Sequence, residues 1–227
     1  MKRNGYWFIF SPLTMRLPHM AGTTWRRAAL AIGVAMLAQA AAAAPPQIET
    51  IVMVRHGEKP AGGLGQLDCQ GLNRALALPA VIAAKFGKPA AIFAPNPAAK
   101  KPDGTGTYYY IRPLATIEPT AIALGMPVNA GIGYSDITAL RQALINPKFH
   151  DAFLLVAWEH KQIVDLAKAF LAAYHGDVKT VPAWDSKDFD SIYTVRIKWS
   201  AAGGWAVFEH GQEGLDNQAT ACPSGKQ

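Results

Sequence analysis

The sequence predicts an α/β fold on a mostly parallel sheet, and three observations carry that expectation. Short apolar runs at 51–54 (IVMV), 90–93 (AAIF) and 151–158 (DAFLLVAW) read as buried strands. The first and the last lead on to stretches with helical spacing, and strand–helix alternation is the mark of parallel α/β units. The first run leads straight into Arg55-His56-Gly57 and the last into Glu159-His160. Both therefore carry polar, reactive groups at the carboxyl end of a strand, where open α/β sheets bind ligands.

Residues 1–44 contain Lys2, Arg3, Arg16, Arg26 and Arg27 and no acid. After Arg27 comes AALAIGVAMLAQAAAA, apolar but short for a membrane span, with small-residue cleavage sites between Ala40 and Ala44. The segment reads as a secretory signal peptide, cleanest from Met20, with Met15 as a further start. A retained membrane anchor is the other reading. On the first, a domain over 45–227 is released into the periplasm or outside the cell, with no stable membrane insertion.

The leader also accounts for the charge. The whole chain is +6, but beyond residue 44 there remain 17 Lys and Arg against 16 acids. A near-neutral domain offers no basic surface for nucleic acid. About 183 residues suit one domain with a full core. Cys69 and Cys222 either pair, as an oxidising compartment allows, or stand as free thiols.

In chain order, Gly57, Pro60, Gly62, Gly63 and Gly65 make a loop after the first strand, and Gly57 lets a ligand approach the backbone beside His56. From Leu67, the residues Leu72, Ala75, Leu76, Pro79, Ile82 and Phe86 fall near helical spacing up to Gly87. The stretch KKPDGTGTYYY (100–110) reads as a loop. Its lysines read best as a solvated turn, and its tyrosines either start a strand or face the site. Arg112 opens a helix with Pro113 in its first turn and Gly125 as its stop. A guanidinium there opposes the helix dipole unless an anion is near, so Arg112 reads as an anion ligand. A helix over 135–146, capped by Ser135 or Asp136, precedes the 151–158 strand. Another helix runs from His160 to Gly176. Two alternating segments, 191–199 and 205–213, pair as a hairpin around SAAGG. His150, His175 and His210 read as structural or surface residues.

The run RHGEKP after a buried strand resembles the histidine phosphatase superfamily, in its small-phosphatase and phosphoglycerate mutase-like branch. L-D-x-x-G-x-x-R-A from Leu67, Arg112 with Thr116 four residues on, and a histidine before a helix at His160 are similar to further parts of that pattern. The resemblance spans about residues 48–175. It implies a three-layer α/β/α sandwich with a mostly parallel central sheet, phosphoglycerate mutase-like, and an exported phosphomonoester hydrolase acting on a small phosphorylated substrate. In such an enzyme Arg55, Arg112 and His160, with Gly57, would bind the phosphoryl group and His56 would attack it. A mutase-like phosphotransferase and a non-catalytic phosphate-binding protein are the alternatives.

The chemistry fits those residue types. Two guanidiniums neutralise a phosphate dianion and disfavour imidazolium, which keeps His56 a nucleophile. A phosphohistidine forms and water hydrolyses it, with no metal and no cofactor required. The leaving oxygen needs a proton, for which Glu159 is the candidate and Glu58 and Glu118 the alternatives. Lys161 stands where the acid-phosphatase branch has its acid.

Overall fold

Alternation along the first strand decides what covers the sheet. In β1 (Gln47–Arg55), every residue from Glu49 is buried. Ile51 and Met53 join the core on one face, while Val52 and Val54 join it on the other. A strand apolar on both faces needs cover on both sides. The structure is a computed structural model describing residues 46–223, so the expected signal peptide at 1–44 lies outside the described residues.

The remaining strands are β2 (Ala91–Phe93), β3 (Lys100–Asp103), β4 (Gly106–Tyr109), β5 (Val128–Asn129), β6 (Phe153–Trp158), β7 (Ser191–Ser200) and β8 (Gly203–Gln212). The helices are α1 (Cys69–Phe86), α2 (Arg112–Leu124), α3 (Ile137–Leu144) and α4 (His160–Ala173). The main sheet has the order β5-β2-β6-β1-β7-β8. Its first four strands are parallel, and β7 and β8 add an antiparallel edge. Leu78 and Ile82 of α1 and Ile117 and Ala121 of α2 pack on the face of Val52 and Val54. Leu140 and Leu144 of α3 and Ile163, Leu166 and Phe170 of α4 pack on the face of Ile51 and Met53. The fold is a three-layer α/β/α sandwich around a mixed, mostly parallel sheet.

The helix ends follow from their sequence. Asp68 caps α1 by accepting from the Gly71 N–H, and Asp136 caps α3 through Ala139. Pro113 sits in the first turn of α2, which Gly125 closes in the left-handed conformation at φ 62°.

Two expectations change. Leu72 and Leu76 are 37% and 52% exposed, whereas the buried face of α1 is Gly71, Arg74, Ala75, Leu78 and Ile82. The cause is Arg74. Its buried guanidinium binds Glu58, Asp190, Glu213 and Asp216, which turns the helix by a charged contact rather than an apolar one. The stretch 100–110 is a β-hairpin in place of a loop, β3 against β4, with Lys100 opposite Tyr109 and Lys101 opposite Tyr108. Cys69 and Cys222 are joined by a disulfide, so of the two readings the paired one holds.

The order of connections opens a crevice. β1 and β6 are parallel neighbours, Arg55 opposite Trp158. β1 leads to α1 on one face and β6 to α4 on the other. Chains that leave adjacent strands toward opposite faces part at the carboxyl ends.

Candidate active site

His56 follows β1 and donates its backbone N–H to the Trp158 carbonyl at 3.2 Å, so the two strand ends stay side by side. The imidazole Nδ1 lies 2.8 Å from the Gly57 carbonyl oxygen. A carbonyl only accepts, so Nδ1 carries the proton and Nε2 keeps its lone pair. His56 is buried, and its pKa is pushed well below the ordinary imidazole value. Burial is the main cause, with the positive charges of Arg112 and Arg55 acting in the same direction. The ring is therefore neutral at physiological pH, with a free lone pair on Nε2.

The loop that carries it is held by packing and by two hydrogen bonds. The Gly57 N–H donates to Thr116 Oγ1 at 2.9 Å, and that hydroxyl donates to the Arg112 carbonyl at 2.9 Å. One threonine thus ties the loop after His56 to the first turn of α2. A Cβ on Gly71 would lie 2.3 Å from the Glu58 carbonyl oxygen, so only glycine lets α1 pack this close to the loop. Arg74 then grips both carboxylate oxygens of Glu58, the residue next after Gly57.

Arg55 is buried under a segment far along the chain. Its Nη1 donates to the carbonyls of Ser186 at 2.9 Å and Asp188 at 2.7 Å. The Phe189 ring lies 3.8 Å from its guanidinium carbon. Burial lowers its pKa to about 10, with Glu159 as the main opposing influence, so it stays a cation. Arg112 sits at the start of α2, where Nη1 pairs with Asp103 Oδ2. Asp103 also takes Lys59 Nζ at 2.6 Å and the Gly65 N–H at 3.2 Å. Burial alone would raise the pKa of this carboxylate, but its hydrogen bonds to Lys59 and Arg112 hold it at about 2.

Glu159 and His160 follow β6. Glu159 caps α4, its Oε2 accepting from the Gln162 N–H at 3.1 Å. Its Oε1 pairs with His160 Nδ1 at 2.9 Å, which leaves Nε2 of that ring buried and without a partner. Continued strand alternation past β6 would point Glu159 away from the site. The turn into α4 brings its carboxylate back among Arg55, Lys101 and His160. Burial would raise its pKa, but His160 and then Lys101 hold it at about 2.

The β3–β4 hairpin supplies the wall. Lys101 is half-buried, its Nζ 4.9 Å from the ring centre of Tyr110 and 5.1 Å from that of Tyr134. Burial pulls its pKa down. Tyr110 is 1% exposed, meets the His56 ring edge-on at 6.1 Å, and lies 5.1 Å from the Arg112 guanidinium carbon. The solvated-turn reading therefore fails for Lys101, which the hairpin register turns inward. Asp103 carried no signal of its own in the sequence beyond lying in this stretch, and of the two readings of the tyrosines Tyr110 takes the one that faces the site. Among the described residues, Arg55 Nε, Arg112 Nε and His160 Nε2 are all buried without a partner. Buried polar atoms are rarely left so, and such a cluster at one place is what a small anion would satisfy.

No family model matches the chain, and no curated protein does. Solved structures do. One, from Nakamurella multipartitia, proposed to be a phosphohistidine phosphatase of the SixA kind, is 15% identical over 73% of this chain and 98% of its own, with a TM-score of 0.48. A mycobacterial glucosyl-3-phosphoglycerate phosphatase bound to inorganic phosphate is 14% identical over 71% and 95%, TM-score 0.48. A phosphoglycerate mutase from Plasmodium falciparum is 12% identical over 80% and 99%, TM-score 0.46. The chain is similar to these proteins, and with identities of 15% or less the chemistry is left to the side chains just described.

Proposed function

We propose that the protein is a phosphomonoester hydrolase of the histidine phosphatase type, exported from the cytoplasm and acting on a small phosphorylated substrate. The observation that carries this reading is the state of His56. It is a buried, neutral imidazole whose Nδ1 proton is committed to Gly57, between two arginines that each keep a buried Nε free. Arg55 and Arg112 bind the non-bridging oxygens and hold the phosphorus in line with Nε2. Nε2 attacks, the leaving oxygen departs, and water later hydrolyses the phosphohistidine. His160 donates to the phosphoryl group as its charge spreads in the transition state. Glu159 caps α4 and orients His160. The phosphatase and mutase names of the similar structures agree with this class of chemistry. The Cys69–Cys222 disulfide supports residence in an oxidising compartment.

Rapid acid-free quenching with a labelled aryl phosphate tests it. The wild type should yield an acid-labile phosphoenzyme on His56, and His56→Ala should yield none and lose turnover. Retained turnover in His56→Ala would sink the reading.

A further inference from the structure

A leaving alkoxide must take up a proton, and the obvious carboxylates cannot give one here. Glu159 is ionised, with one oxygen on the α4 cap and the other beside His160. Glu58 has both oxygens on Arg74. Glu118 is exposed on the outer side of α2. Asp103 has its oxygens on Lys59 and Arg112. Beside His56 there is also a neutral O–H. Tyr110 is buried, its Oη has no hydrogen-bond partner, and its ring stands edge-on to His56 with Arg112 on one side and Lys101 over its face.

We propose that Tyr110 is the general acid and base of this site, a role that rests on the phosphomonoesterase reading above. As Nε2 of His56 forms its bond to phosphorus, the bond from phosphorus to the leaving oxygen breaks, and the phenol proton passes to that oxygen. The product alcohol leaves, and Tyr110 is a phenolate. In the second half, water attacks the phosphohistidine and gives its proton to the phenolate. This releases inorganic phosphate, frees Nε2 and restores the phenol. Each turnover consumes one water and needs no other reactant. Burial raises the pKa of the free phenol above its ordinary value, with the charge of Arg112 opposing, so the resting enzyme keeps the proton it must deliver. The cations Arg112 and Lys101 then stabilise the phenolate at the moment it forms.

The test is a series of phosphate monoesters running from nitrophenyl to simple alkyl leaving groups. Tyr110→Phe keeps the ring and removes only an unpaired buried hydroxyl, so it should fold and melt as the wild type does. Its kcat/KM for alkyl phosphates should drop roughly 10²–10³-fold, while nitrophenyl phosphate, which needs no acid, stays within about threefold. The wild type should show a solvent deuterium isotope effect with alkyl phosphates that Tyr110→Phe loses. Equal slowing across the series would mean that Tyr110 only holds a phosphoryl oxygen, and would overturn the proposal. So would an unchanged alkyl rate, the absence of any isotope effect in the wild type, or a selective alkyl defect in Lys101→Met instead. A wild type that forms no phosphohistidine fails the parent reading, whereas normal trapping with an indiscriminate Tyr110→Phe fails this one alone.

Discussion

Asp103 sets the charge balance of the pocket. It brings a carboxylate to within bonding distance of Lys59 and Arg112, beside the proposed phosphoryl site. A phosphate dianion reaching Arg112 meets that carboxylate as a competitor for the same cation. Asp103 also fixes the direction of the Arg112 fork, whose Nε stays free. Asp103→Asn keeps the size and one acceptor but removes the charge. Inorganic phosphate should then inhibit more tightly, by roughly tenfold, equivalent to about 1.4 kcal/mol. A phosphate titration of the initial rate reads this directly. Weaker inhibition would show that orienting Arg112 matters more than repelling the ligand.

At the scale of elements, the site depends on how closely α1 and α2 are pressed against the turn after β1. Gly71 touches the Glu58 backbone, Thr116 spans from Arg112 to Gly57, and Gly57 itself has Gly71 Cα only 3.0 Å from where a Cβ would be. Gly71→Ala should force these apart, costing about 2 kcal/mol of stability as overpacking does. Turnover should fall further than the melting temperature alone explains, because His56 moves with the turn. Thermal melts beside kcat at a temperature where the variant is folded separate the two effects. This layer of the structure was legible in the sequence wherever the signal was local. The apolar runs of β1 and β6, the Arg-His-Gly turn and the first-turn placement of Arg112 each lie within a dozen residues, and the β7–β8 hairpin joins two strands that are consecutive in the chain. The clamp on Arg55 was not legible, since the 185–189 segment meets it only across 130 residues or more of chain. The same holds for the inward turn of α1, because no helical periodicity expects Arg74 to be core. Lys101 was hidden, and Tyr110 left between two readings, for a different reason. Glycine and proline in KKPDGTGTYYY signal a bend, and only the hairpin register decides which side chains face the pocket.

For the whole molecule, the carboxyl-terminal tail is fastened back onto α1, the helix that packs against the turn after His56. Asn73 Nδ2 donates to the carbonyls of Ala219 at 2.7 Å and Ala221 at 2.8 Å. Arg74 reaches Asp216, and the Cys69–Cys222 disulfide closes the connection over 153 residues. Because the hydrogen bonds and the ion pair persist without the sulfur bridge, reduction should leave the native contacts in place. Its cost falls mainly on the unfolded chain, which gains the freedom that so long a loop had denied it. Loop-closure entropy puts that cost at about 4–5 kcal/mol. Reduced protein should therefore unfold at clearly lower denaturant concentration, yet keep its turnover at 25 °C in the absence of denaturant. Cys69→Ser with Cys222→Ser should behave as the reduced form does. Urea titrations and rate measurements on oxidised, reduced and doubly substituted protein check both halves. Turnover that vanishes on reduction while the protein stays folded would mean that the bridge positions α1 in the native state, and that the tail's hydrogen bonds alone cannot hold it.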